Sequence, residues 1–414
     1  MSEIVRKLLW LAAGLGACSY YDASLLAPST EQEPPASTAQ GGEGGQGGED
    51  GQGGTATAFP TGGGGGPGGK GNAGAAGIAQ GGSAGEAPVQ PCSIKPPPPS
   101  DLPSQKKDGT DISLAIKAID LGQGKIDGKP AYLAYGFDLD GYCSCPEDFS
   151  CKGSDPQQDR YCDGPGGRDN AGGAFFFSLA QVAPAFGTAS FNQGLTKGKF
   201  GLLFRVKDYN GESDDEQVQV EWYSSSDFGK GLEPLWDGSD AWPVEEDSYL
   251  DIEKKTPRYT DPFAYVTGGK LVATLPGGRL LLNNILLDLV GPVLVAGLTP
   301  PDATSPLWRV QEGILAARWR SQDILAQLAY IPDPLDNKPL CKSNPLYGTL
   351  KAQICSYADI SSTVQGQINA PCDALAIAIK FDAVQANIGV PSTKPTVNPC
   401  LGADDPKGDT CELP

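Results

Sequence analysis

The first residues that could do chemistry are acidic. Asp138 and Asp140 stand in Gly-Phe-Asp-Leu-Asp-Gly, and Asp163 and Asp169-Asn170 follow beyond a cysteine-rich loop. Residues 131–139 are expected to form a strand, and side chains along a strand alternate, so Asp138 and Asp140 would share one face. Two carboxylates on one face repel unless something neutralises them, and Ca²⁺, which takes 6–8 oxygen ligands, would do so. Asp138, Asp140, Asp163, Asp169 and Asn170 are therefore the expected calcium ligands. The spacing is not that of an EF-hand, and polar residues in a solvated loop are the competing reading. A second acidic group, Asp208, Asn210, Glu212, Asp214 and Asp215, surrounds Gly211 and reads as a hydrated hairpin tip.

Aromatic residues among acids form the second constellation. Trp236 and Trp242 lie in turn-like sequence, Leu-Trp-Asp-Gly and Ala-Trp-Pro. Exposed indoles stack on sugar rings while carboxylates accept hydroxyl hydrogen bonds, so these two are the candidate glycan-binding residues, with core packing as the alternative. Glu221, Glu245 and Glu246 could supply the carboxylate pair of a glycosidase, but nothing in the sequence fixes their separation. The chain has no histidine, which removes Ser-His-Asp and Cys-His triads and histidine zinc sites. No nucleotide-binding or nucleophile-elbow motif stands in a suitable context. No catalytic residue is assigned, and a binding or structural role is expected ahead of a secreted hydrolase.

Eleven cysteines are present. With Cys18 set aside for the reason given below, ten remain: Cys92, Cys143, Cys145, Cys151, Cys162, Cys341, Cys355, Cys372, Cys400 and Cys411. An even number in an exported chain reads as a disulfide framework. Cys143, Cys145, Cys151 and Cys162 are expected to pair among themselves or with Cys92. Cys355–Cys372 and Cys400–Cys411 would close local loops.

The formal charge is −19, and residues 208–253 hold fifteen Asp and Glu against one Lys. Such a surface repels phosphates, so nucleic acid and anionic lipid are rejected as partners of the folded part.

The elements that must position these groups read mostly as strands. Ile112–Ala118 alternates, as do Phe200–Val206 and Val218–Trp222 on either side of Asp208-Tyr209-Asn210-Gly211, a strong hairpin signal. Ala174–Leu179, with three consecutive Phe, is expected as a core strand. Leu280–Leu298 is expected as buried strands, and Leu375, Ile377, Ile379 and Phe381 as a final alternating one. One short helix is expected over 322–330, capped by Ser321 and ended before Pro332. Many strands and frequent Gly and Pro turns predict an all-β fold, a β-sandwich of jelly-roll or concanavalin-like architecture.

The amino terminus sets the context. Arg6 and Lys7 precede an apolar run from Leu8 to Gly16, and Leu15-Gly16-Ala17-Cys18 resembles the lipobox of bacterial lipoprotein signal peptides. The run is too short to span a bilayer. The resemblance implies cleavage after residue 17 and diacylglycerol and acyl (palmitate-type) modification of Cys18, which joins the chain to a membrane. Ser19, where the family's inner-membrane proteins carry Asp, leans toward the outer membrane of a Gram-negative envelope. Residues 18–100 then read as a disordered Gly- and Pro-rich linker, about 50 Å in reach. The β domain spans 101–390, and residues 391–414 form a cysteine-containing tail. The combination resembles surface lipoproteins of large-genome Gram-negative bacteria, a compositional likeness that transfers no active site.

Overall fold

A computed structural model describes residues 94–101, 109–144, 150–153, 161–225, 227–229, 231–283, 285–333, 336–364, 370–393 and 397–411. Cys18, Cys92, Cys145 and the Gly-rich stretches 41–54 and 62–86 lie outside them.

Alternation of apolar residues builds nine strands: β1 (Thr110–Asp120), β2 (Gly201–Tyr209), β3 (Asp215–Ser225), β4 (Tyr259–Thr267), β5 (Lys270–Thr274), β6 (Gly277–Leu282), β7 (Ile285–Thr299), β8 (Arg309–Arg320) and β9 (Ala374–Gln385). Each neighbouring pair is antiparallel. The order runs β1-β2-β3-β4-β5-β7-β8-β9 and returns to β1, so eight strands close into an up-and-down barrel, with β6 added along β7.

The expected sandwich is thereby overturned. Closure depends on the length of β7. Its first half pairs with β6, from Leu282↔Ile285 to Gly277↔Val290. Its second half pairs with β5, from Thr274↔Val293 to Lys270↔Gly297. The changeover falls at Gly291-Pro292, where Gly291 has φ of 55° and the register with β8 shifts. A bulge at such a point bends the strand and turns it toward a new partner. Residues 285–298, expected as separate buried strands, thus lie in a single continuous strand.

The barrel interior is packed with side chains, not hollow. Ile112, Leu114 and Ile116 of β1, Leu202, Phe204 and Val206 of β2, Val218, Val220 and Trp222 of β3 and Leu375, Ile377, Ile379 and Phe381 of β9 all belong to one buried cluster. Phe204 meets Phe381 edge to face at 6.1 Å. The Phe381 ring lies where a Cβ on Gly313 would be, 2.4 Å from its nearest atom, so only glycine fits there. An eight-stranded barrel is just wide enough for side chains to fill.

Among the described residues four helices occur where one was expected: α1 (Ala171–Val182), α2 (Thr188–Thr196), α3 (Ser321–Gln327) and α4 (Tyr347–Ser356). The expected helix is α3, extended by a 3₁₀ turn Leu328–Tyr330; its N-cap is Arg320, not Ser321. The expected core strand over 174–179 belongs to α1. Asn170 caps that helix by accepting from Gly173 N–H, and Gly172 packs against Ile377 and Ala376 of β9. Phe175, Phe176, Leu179, Phe191, Ile324 and Ile354 join the barrel's own cluster, and Phe176 stacks on Trp319 at the end of β8. No helix among the described residues is long and apolar enough to cross a membrane.

Among the described residues three disulfides tie these elements together, with partners other than those expected. Cys151 bonds Cys372, Cys341 bonds Cys400, and Cys355 bonds Cys411. Cys143 and Cys162 are also disulfide-bonded. The expected pairs Cys355–Cys372 and Cys400–Cys411 do not form, because each of these cysteines bridges between segments instead of closing its own loop.

Candidate metal centre

Residues 131–139 are not a strand. A 3₁₀ turn covers Ala131–Ala134, and the chain then crosses the outer wall of the barrel in extended loop. Tyr135 and Phe137 pack there on Val295, Ala316 and Ala378. Asp138 N–H donates to Ile94 O at 2.9 Å, and Asp169 N–H donates to Phe137 O at 3.1 Å. Leu139 O in turn accepts from Arg318 at 2.6 Å. This loop, Asp169 just ahead of the α1 cap and the outer face of β8 therefore meet at one point.

Three carboxylates converge on it. Asp138, Asp140 and Asp169 each offer a ligand oxygen, and these oxygens all lie within 4.8 Å of one another. Oxygens bound to one Ca²⁺ at 2.3–2.6 Å sit at most about 5 Å apart, so the spacing suits one coordination sphere. Backbone N–H groups hold each of the three, and Asp169 also shares a side-chain hydrogen bond with Asp163. Gly141 N–H donates to Asp138 Oδ1 at 2.6 Å, Tyr142 N–H to Asp140 Oδ1 at 2.9 Å, and Leu139 N–H to Asp169 Oδ2 at 2.6 Å. Asp138 is 8% exposed and Asp169 2%. Oδ2 of Asp138 and Oδ2 of Asp140 are buried with no hydrogen-bond partner among the described residues. A buried carboxylate oxygen without a partner is costly.

Two more carboxylates surround the three. Asp163 accepts from Ser144 N–H at 2.6 Å, and Asp359 accepts from Ala376 N–H at 2.8 Å. Burial pushes the Asp163 carboxyl up to about 7, with Asp140 and Asp138 adding to the rise. Burial also holds Asp169 and Asp359 well above the usual carboxylate range, and raises Asp138. The buried cation nearby is Arg318, 2% exposed, whose Nε is unpartnered. Among the described residues it forms no ion pair within 4 Å of any of these acids. Arg318 and the exposed Lys95, which acts on Asp138, thus face five carboxyl groups, and a divalent cation would add positive charge where the acids outnumber them.

The sequence-expected ligands separate into two groups. Asp138, Asp140 and Asp169 come together, with Asp163 beside them. Asn170 is occupied elsewhere: its Oδ1 accepts from Gly173 and Ala378 N–H, and its Nδ2 donates to Tyr132 O. Asp359 and Arg318 carried no sequence signal, being about 220 and 180 residues away from Asp138-Asp140. A hint was the cysteine count, since Cys151–Cys372 brings the cysteine loop to the start of β9.

The glycan surface expected of Trp236 and Trp242 is not formed. Trp242 is fully buried against Gly201, Phe228 and Trp236 on the outer wall, beneath the parallel pair Ala241–Glu245 and Asn387–Ser392. Trp236 is half-buried, 5.4 Å from Trp242, with Lys117 Nζ 5.6 Å from its ring. Glu221, one of the candidates for a glycosidase pair, is buried between Arg205, whose Nε donates at 2.7 Å, and Lys207 at 3.6 Å. In the hairpin tip, Asp215 accepts from Asn210 N–H and Asp214 from Gly268 N–H, so these acids brace turns.

No protein-family model, curated protein or solved structure matches this chain.

Proposed function

We propose that this chain is an exported envelope lipoprotein, anchored through Cys18, whose disulfide-stabilised barrel holds a divalent cation, Ca²⁺ first, between Asp138, Asp140 and Asp169. The orphaned, buried oxygens of Asp138 and Asp140 carry the cation reading. An all-oxygen donor set suits Ca²⁺ over softer metals. The ion's role is to hold the loop 135–142 and the start of α1 against the barrel wall, giving a rigid surface for binding or structural work outside the membrane.

Isothermal titration of the full chain with Ca²⁺ at pH 8 tests the site. One ion per chain is expected, and Asp140→Asn should weaken it at least about tenfold, a loss of 1.4 kcal/mol. Heat indistinguishable from dilution with the parent chain would remove the metal reading.

The anchor has its own test. Several acyl chains, at about 0.8 kcal/mol per buried CH₂, hold a protein on a membrane where one chain does not. Cys18→Ala is expected to move the protein from the membrane pellet to the soluble fraction. Retention in the pellet would refute lipidation there.

A further inference from the structure

An apolar cavity lies at the helical end of the barrel, away from the acids. Trp319, which ends β8, and Ile285, which begins β7, form its floor, and α1, α3 and α4 form its walls. Its volume is about 700 Å³, within the ~300–1,000 Å³ typical of small-molecule sites. The lining is overwhelmingly aliphatic and aromatic; Phe176, Leu179, Ile324, Leu328 and Ile354 are among the residues on it. The barrel interior is filled, so a ligand would sit beyond it, against helix and strand-end residues that belong to the same buried cluster.

One polar side chain inside it lacks a partner. Gln353, on α4, is 6% exposed and lines the cavity. Its backbone carbonyl accepts from Ser356 Oγ and Tyr357 N–H, yet its side-chain amide makes no hydrogen bond to any described residue. The amide stands at the cavity wall without a protein partner among the described residues, so a ligand head group that both donates and accepts could hydrogen-bond to it. At the mouth, Asp336 and Asn337 are exposed and Asp333 is buried, so the entrance carries two acids, one of them paired with Lys338 at 2.8 Å. These acids and a net charge of −19 disfavour anions.

We infer that this cavity is a binding site for a neutral lipid of the long-chain alcohol class, with its hydroxyl on the Gln353 amide and its chain between Trp319, Phe176 and Leu328. A hydroxyl matches the orphaned amide as donor and acceptor, and a single apolar chain matches the lining. A carboxylate head would meet Asp333 and Asp336, and no residue of the lining is a cation that could pair with it.

The test uses the full chain and a neutral fluorescent probe, N-phenyl-1-naphthylamine, competed by 1-dodecanol and by laurate. The probe should bind saturably, one per chain. Dodecanol should displace it at concentrations at least about tenfold below those of laurate. Gln353→Leu should weaken dodecanol at least about fivefold while leaving probe binding intact, which a merely structural role for Gln353 would not do. Leu346→Trp, which fills the lining, should abolish probe binding; Leu350→Phe, a smaller fill, should weaken it and serves if the tryptophan variant does not fold. Absence of saturable probe binding, equal displacement by laurate, or probe binding unchanged in a folded filling variant would each overturn the assignment. The cavity and the carboxylate site share no residue, so failure here leaves the metal proposal standing.

Discussion

Replacing Cys151 and Cys372 together by alanine should lower the melting temperature by about 5–15 °C and abolish the stabilisation that Ca²⁺ confers. The bond spans 221 residues of sequence, and cross-links closing loops of that length restrict the unfolded chain most, with removal typically costing about 2–5 kcal/mol. Its position gives it a second role. On either side of it, Lys152 N–H donates to Ala370 O and Cys372 N–H donates to Lys152 O, so the cysteine loop is stitched to the segment leading into β9. Two residues further on, Asp359 N–H donates to Ala374 O, and the Asp359 carboxylate accepts from Ala376 N–H. The cross-link therefore fixes the strand start around which Asp359, Asp163 and the three candidate ligands are arranged. Cys355–Cys411, which ties α4 to the C-terminal segment, provides the control. Its double alanine variant should lose thermal stability and keep the Ca²⁺ response. Melting curves of both variants in Ca²⁺ and in EDTA separate the effects. An undiminished Ca²⁺ shift without Cys151–Cys372 would show that the acids are positioned independently of the cross-link.

The features of this fold that were legible in the sequence are those set by local alternation. Leu202, Phe204 and Val206, and across the hairpin Val218, Val220 and Trp222, point inward as their period predicts, and Asn210-Gly211 stands in the turn between them. Alternation says which face of a strand is covered. It does not say whether the covering face belongs to a second sheet or to the far side of the same one. That choice rests here on β7 changing partners at Gly291-Pro292 and pairing from Thr274↔Val293 to Lys270↔Gly297, beyond the reach of local alternation. Phe175-Phe176-Phe177 misled for a related reason. Three consecutive apolar residues satisfy a buried strand and also a helix buried on most of its circumference, and Asn170 was assigned to metal when it was the helix cap. The acids were legible as a group because their excess is compositional. Their strand geometry was wrong, since a 3₁₀ turn and backbone-anchored loop, not pleat alternation, bring Asp138 and Asp140 together. Trp242 reads as a loop residue because what buries it, Asn387–Ser392, lies about 145 residues away.

In EDTA, the protein should lose stability as pH rises from about 5 to 8, and Ca²⁺ should cancel most of that loss. An unfolded aspartate releases its proton near pH 3.9. Asp163 in the folded state holds its proton up to about 7, and Asp169 and Asp359 are held protonated by burial as well. Between those limits the folded state binds more protons than the unfolded state. Stability then falls with rising pH, by about 1.4 kcal/mol per pH unit for each proton so retained. The stability from these groups is fully present below the unfolded value and is lost as pH passes the folded one, the reverse of an ordinary salt-bridged aspartate. A bound divalent cation replaces the protons and keeps the carboxylates ionised, so the Ca²⁺-dependent gain in melting temperature should be small at pH 5 and several degrees at pH 8. At about 100 times its dissociation constant the ion adds roughly 2.7 kcal/mol. Asp140→Asn removes one of the charges that raises Asp163, Asp169 and Asp359. In EDTA at pH 8 that variant should melt above the parent chain, while in Ca²⁺ the parent should lead. The crossing of those two orders distinguishes a metal site, where the acids are destabilising until filled, from a charge cluster that Arg318 already balances. In the latter case Asp140→Asn would lower stability in both buffers, and the difference between Ca²⁺ and EDTA would not change with pH.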